Sequence, residues 1–294
     1  MSAPFVSVIL PTYNREEVLC KTLAQLQEQN YEPCEIIVVD QTAHHAPQTE
    51  AFLAGHLEHI RYFSLETPGL PEARNFGVGQ ARGDVVLFCD DDVELRPGWI
   101  AAHAANYDDS SVGGVAGRVI ENGEPIADTT CIGRVTLCGR LVVNHSSPRR
   151  AEVEWARGGN MSFRRVLVQR VGGFDTRFGG NAGFEDTDFC FRLRRTGHRI
   201  IFDPKAALVH LHLGRGGCQT RTFDAVTYYC HFLRNKTLFY LKNMPRYGMP
   251  CFLLVQTLRA AKTGLLDSGS FAATSRLLRA IYEGVTLYTA GERG

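Results

Sequence analysis

No stretch of this sequence approaches the roughly 18–20 uninterrupted apolar residues of a membrane-spanning helix, which excludes a span built from one continuous segment. The nine cysteines include no Cys-x-x-Cys pair. The nearest two in sequence, Cys131 and Cys138, are too far apart for the usual zinc-ligand hairpins. Most of the cysteines are therefore expected as small core residues or free thiols, the usage of a reducing compartment. A formal net charge of +1 excludes a global field that recruits nucleic acid. Internal repeats, low-complexity tracts and long linkers are absent. No leader peptide precedes Phe5-Val-Ser-Val-Ile-Leu10, already a strand pattern, and the expected location is the cytoplasm.

What is present is an alternation of apolar strands and amphipathic helices. Val6 to Leu10 ends at Pro11-Thr12, and Asn14, with Glu17 three residues on, is placed to cap the helix that follows. Leu19, Leu23 and Leu26 fall on one face of that helix. Glu35-Ile-Ile-Val-Val-Asp40 is a second buried strand, and Ile60–Phe63 a third. Pro71 sits where a helix starts, and Gly83 precedes the next strand. This order predicts a mostly parallel, doubly wound α/β sheet. Residues 113–159 are expected to hold β-structure and loops, followed by a short helix over 164–171 and a Gly-rich loop.

Asp84-Val-Val-Leu-Phe-Cys-Asp90-Asp91-Asp92 carries the most chemistry. An apolar run of this length is a strand buried on both faces, and ligands collect at the carboxyl ends of such strands. Three adjacent carboxylates at a strand tip suit an oxygen-coordinated Mg²⁺ or Mn²⁺ of the sort that binds diphosphates. Further on, Glu185-Asp186-Thr-Asp188 opens a helix, and Val209-His210-Leu-His212 closes the sheet region. From Arg215 to Gly294 there are eleven Lys and Arg against four Asp and Glu, so a basic tail follows an acidic body. Residues 222–243 form a helix with interleaved aromatic and basic side chains, and two amphipathic helices follow it.

These features, together with Pro68-Gly-Leu-Pro-Glu-Ala-Arg74-Asn75-Phe-Gly77 and Gly158-Gly-Asn160-Met-Ser-Phe-Arg164-Arg165, resemble the family 2 glycosyltransferases over residues 5 to 215. The resemblance implies a GT-A fold (a Rossmann-like, mostly parallel sheet flanked by helices). It divides the chain into a catalytic domain over 1–215 and a helical C-terminal region over 216–294. It implies a nucleotide pocket lined by Pro11, Thr12, Tyr13, Asn14 and Arg15, with Asp40 on the base. Asp90 then lies near the ribose, with Asp91 and Arg74 beside it, although Asp91 is equally placed as a structural acid and Arg74 as a surface ion pair. Gly159, Asn160 and Arg164 lie along the donor sugar and diphosphate. Asp92 and His210 hold Mn²⁺ or Mg²⁺, and Asp186 is the base, with Glu185 as its partner on the acceptor side.

The implied reaction is inverting transfer of one sugar, hexose or deoxyhexose, from a UDP- or dTDP-sugar to a hydroxyl on a glycan or lipid-linked glycan, in surface-glycan assembly. The Gln-x-x-Arg-Trp motif of processive synthases is not matched by Gln219-Thr-Arg-Thr-Phe223. Two other readings use the same acids: an inactive sugar-nucleotide-binding protein and a nucleotidyltransferase. The latter needs a Gly-rich basic loop after the first strand, where Pro-Thr-Tyr-Asn-Arg stands. The basic C-terminal helices suit the inner face of the cell membrane, a homodimer face, or packing on the catalytic domain.

Overall fold

The computed structural model describes residues 3–121, 126, 128–211, 213, 217 and 224–291. His212, residues 219–223 and the expected boundary after residue 215 lie outside the described residues. Three parallel strands, β1 (Val6–Thr12), β2 (Cys34–Asp40) and β3 (Arg61–Ser64), alternate with helices α1 (Glu17–Gln27), α2 (Pro47–Gly55) and α3 (Leu70–Gln80). Then come β4 (Val85–Cys89), β5 (Val93–Leu95), α4 (Trp99–Ala104), β6 (Val112–Glu121) and three short strands, β7 (Arg134–Val135), β8 (Leu141–Val142) and β9 (Ala151–Val153). The sheet region finishes with β10 (Asn160–Arg164), α5 (Arg165–Arg170), α6 (Glu185–Arg194) and β11 (Arg199–His210). The C-terminal region holds α7 (Ala225–Asn243), α8 (Met249–Ala261) and α9 (Phe271–Gly291).

The main sheet runs β3-β2-β1-β4-β10-β6-β11-β5, with β9 also on β11. Both of its faces are covered, as the continuous apolar strands require. On β4, Val85, Leu87 and Cys89 join one core with α1, while Val86 and Phe88 join the other with α3 and α6. Leu19, Leu23 and Leu26 bury the predicted face of α1; each contributes about 1.5–3 kcal/mol.

The capping box is not formed. Asn14 has φ 52° and gives its N–H to the Thr42 hydroxyl, so it serves a turn, and α1 begins at Glu17 with no side-chain cap. The cysteine expectation is corrected too. Cys138 and Cys251 form a disulfide with Cα atoms 5.4 Å apart. Tertiary docking brings them together: Tyr240 of α7 donates to the Leu137 carbonyl and stacks on Phe252 of α8. Helix α7 therefore packs on the sheet domain, where Lys242 and Asn243 reach the buried Asp188 of α6.

Candidate active site

Strand register assembles the acidic end. Parallel β1 and β4 deliver Thr12 and Asp90 to the same edge. Strand β10 runs antiparallel to β4 with Asn160 opposite Cys89, so Gly158 and Gly159 lie beside Asp90. At the far side β11 pairs with β5, His210 opposite Val93. That register sets the imidazole Nε2 3.2 Å from Asp92 Oδ1 and 3.9 Å from Asp90 Oδ2. One ligand atom from each of Asp90, Asp92 and His210 lies within 4.8 Å of the others. Two carboxylates and an imidazole are a donor set for a borderline divalent cation such as Mn²⁺. Burial alone would raise the Asp92 carboxyl, but the hydrogen bond from His210 and the nearby Arg15 bring it below its ordinary value. His210 responds in the opposite sense: burial lowers it, and Asp92 and Asp90 raise it above its ordinary value.

Arg15 braces this end, with Nη2 2.8 Å from Asp92 Oδ2 and Nε 3.3 Å from Asp91 Oδ1. Asp91 also accepts from the Thr12 hydroxyl at 2.7 Å. Its carboxyl is pushed up to about 7 by burial, against the pull of Arg15 and Thr12. Asp91 thus ties β1 to the strand tip through Thr12 and shares Arg15 with Asp92.

The opposite wall is the start of α6. Asp186 accepts from Gly158 N–H at 3.0 Å and from Thr187 N–H at 2.5 Å. Glu185 accepts from Arg74 Nη1 at 2.7 Å, and this pair is buried, with Arg74 2% exposed. Arg74 lies over the rings of Phe174 and Phe88. Glu185 is raised to about 8, first by burial and then by Asp186, with Arg74 opposing. Asp186 is raised by burial, again with Arg74 opposing. Desolvation thus outweighs the helix-dipole preference for the ionised form.

One cavity of about 510 Å³ joins the two ends. It is lined by Pro11, Thr12, Tyr13, Arg15, Arg74, Asp90, Asp91, Asp92, Gly159, Glu185, Asp186 and His210, all named from the sequence. Four other expected residues do not line it. Asn14 is solvent-exposed in its turn. Asp40 is fully buried and accepts from Thr42 N–H, His45 and Tyr62, so its oxygens are occupied. Asn160 is fully buried and bonds Trp99, His103 and two carbonyls. Arg164 ends β10 opposite Val85, the far end of β4 from the acids, and donates to the carbonyls of Val112, Tyr107 and Asp109.

Several lining residues escaped the sequence. Gln41, next to Asp40, faces the cavity. Trp155 and Arg157 line it beside the Gly pair, and Tyr228 and Phe232 reach in from α7. Trp155 is 4% exposed, so only its edge reaches the cavity. The Gly-rich stretch before α6 was visible as a loop; residues 181–184 prove to be cavity wall.

Known proteins resemble the chain in sequence and in fold. The sequence pattern of glycosyl transferase family 2 matches residues 7–157, and that of the N-terminal domain of galactosyltransferase matches residues 140–212. A pre-mycofactocin glycosyltransferase of Mycobacterium tuberculosis is 27% identical over 213 residues, covering 70% of this chain and 43% of that protein. The chain thus spans less than half of that relative's length. A glucosyl-dolichyl phosphate glucuronosyltransferase of Haloferax volcanii is 28% identical, covering 70% of this chain and 68% of the relative. Among solved structures, S. aureus TarS 1–349 in complex with UDP-GlcNAc superposes with TM-score 0.69 at 18% identity, covering 96% of this chain and 81% of that one. The mannosyltransferase PcManGT of Pyrobaculum calidifontis, in complex with GDP-Man and Mn²⁺, gives TM-score 0.57 at 19% identity, covering 100% and 87%. These structural likenesses are of fold, and the fold is GT-A. With the family pattern covering just over half of the residues, the chain belongs to glycosyltransferase family 2.

Proposed function

We propose that the chain transfers one hexosyl or deoxyhexosyl unit per encounter, with inversion, from a UDP- or dTDP-sugar to an acceptor hydroxyl. The observation that carries this reading is the facing of Asp90, Asp92 and His210 across one cavity by Asp186 and the Arg74–Glu185 pair. Asp92 and His210, with Asp90 beside them, fit a divalent cation, which when bound offsets charge on the departing nucleoside diphosphate. The Gly159 backbone passes so close to Asp90 that a Cβ there would sit 2.0 Å from Asp90 Oδ2, leaving the diphosphate end open.

Asp186 is the base in this reading. As the acceptor oxygen bonds to the sugar C1 and the C1–diphosphate bond breaks on the opposite face, the hydroxyl proton passes to Asp186 Oδ2. Gly158 and Thr187 N–H groups hold that carboxylate in place. Its raised pKa makes it a stronger base, while Arg74 keeps it ionisable. At the base end, Gln41 replaces Asp40 as the residue facing the pocket. Its Nε2 is engaged by the Thr67 and Gly69 carbonyls, which leaves its amide oxygen to accept the imide N–H of uracil or thymine. A lipid-linked acceptor fits the name of the Haloferax relative.

Nucleoside diphosphate release from UDP- and dTDP-sugars with Mn²⁺, paired with donor calorimetry, tests the assignment. Asp186→Asn should lose about 10²–10⁴ in turnover with donor affinity kept, and Asp92→Ala should lose the Mn²⁺ dependence of donor binding. A fully active Asp186→Asn enzyme removes Asp186 as base.

A further inference from the structure

More than half of the large apolar side chains that the described residues leave exposed lie between Tyr247 and Tyr282. Helix α8 buries Phe252, Gln256 and Ala260, one face of the helix. Leu254 and Leu258 project from the opposite face, 61% and 60% exposed. Helix α9 repeats the pattern. Ala273, Leu277, Ala280 and Ile281 are buried, while Phe271, Leu278 and Tyr282 follow an i, i+7, i+11 stripe on the other side. The fold accounts for one apolar face of each helix and leaves a second uncovered, which an ordinary surface helix does not have.

The turn between the helices, a π-helical segment over Lys262–Asp267, is the apolar extreme. Leu266 is 78% and Phe271 84% exposed. From Arg246 to Glu283 five exposed cations, Arg246, Arg259, Lys262, Arg276 and Arg279, stand against two exposed acids, Asp267 and Glu283. Glu283 pairs with Arg279, and Arg276 faces Asp224 at the start of α7, which leaves a net surplus of cations. We propose that the α8–α9 hairpin docks on an anionic lipid surface, with Leu266 and Phe271 entering the acyl boundary and the cations meeting headgroups.

Charge selects this occupant over a second copy of the chain. A two-fold interface sets the same patch against itself, so the surplus cations would face one another. An anionic bilayer complements them, and tyrosines such as Tyr247 and Tyr282 suit the polar–apolar boundary. No described helix is long and apolar enough to cross a membrane, so the contact is at the surface.

Sedimentation of the full chain with phosphatidylcholine vesicles, with and without one-third phosphatidylglycerol, tests this without donor or acceptor and so independently of the catalytic reading. Native protein should pellet with the anionic vesicles and release in high salt. Leu266→Asp/Phe271→Asp should bind at least about tenfold more weakly, since two apolar insertions are lost. Both side chains are largely solvated, so the variant should keep the native melting transition. Failure of native protein to pellet, or undiminished pelleting of a natively folded variant, overturns the proposal. So does a concentration-dependent dimer that the variant abolishes, with no vesicle binding, which would make the face a contact between copies.

Discussion

Replacing Arg74 by methionine isolates the electrostatics of the base end. The guanidinium is 2% exposed, 2.7 Å from Glu185, and 5.4 Å from the Phe174 ring centroid. Methionine keeps much of the packing and removes the charge beside Glu185, Asp186 and Asp90. Near pH 7 the cost should be about 1–3 kcal/mol, the hydrogen bond left unmade, because Glu185 can hold its proton. Its folded pKa, about 8, is already above its unfolded value. Stability from such a group is complete below the unfolded pKa and is lost as pH rises through the folded one. Without Arg74 the folded value rises further, so the variant keeps losing stability above about pH 8, where the native protein levels off. The added cost grows by up to about 1.4 kcal/mol per pH unit, toward the roughly 3–5 kcal/mol of an unpaired buried carboxylate. Urea unfolding at a series of pH values between about 7 and 9.5 measures this, and Arg74→Met/Glu185→Gln should recover most of the loss at the alkaline end. An equal cost at every pH, or no recovery in the double variant, would refute the reasoning.

Three further outcomes are expected. Gly159→Ala places a Cβ 2.0 Å from Asp90 Oδ2, so Asp90 must swing away; the melt should stay near native while donor turnover falls about tenfold or more, and unchanged kinetics would clear Asp90 of a role. Asp188 is fully buried and accepts from Arg192, Lys242 and Asn243 at 2.8 Å each. Asp188→Ala should therefore cost about 3–5 kcal/mol and open α7 to limited proteolysis; native-like resistance would count against it. Burial lowers the His45 pKa, but Asp40 and Glu16 raise it overall. Its stabilisation is thus present below the unfolded value of about 6.5 and lost as pH rises through the folded one. Asp40→Asn should flatten the fall in melting temperature over that range, and an unaltered slope would show that the pair does not titrate there.

Residues whose place in the cavity follows from position on a strand or helix end were readable in the sequence. Asp90 and Asp92 stop an apolar run, His210 ends another, and Glu185-Asp186 open a helix; period and punctuation give all of these. What failed depended on side-chain direction or on distant partners. Asp40 and Gln41 are neighbours on one strand end, and which one turns toward the cavity was decided by His45 and Tyr62, which hold Asp40 inside. Asn160 and Arg164 sit in a motif that touches the site only through its glycines, because β10 runs antiparallel and carries the rest away from the tip. The Cys138–Cys251 link and the entry of Tyr228 and Phe232 join segments far apart in sequence, and no local pattern encodes such a meeting.

Two parts of the cavity wall are held in place by different means. The sheet edges fix the acids and the imidazole through backbone register, where a single slip would displace them together. Tyr228 and Phe232 come instead from one helix that is held mainly through Asp175, Asp188 and the packing of Phe184 and Phe239. Substitutions along the exposed turns of that helix can reshape its side of the cavity while the acidic end stays untouched. A scaffold divided in this way can have one wall altered without disturbing the other.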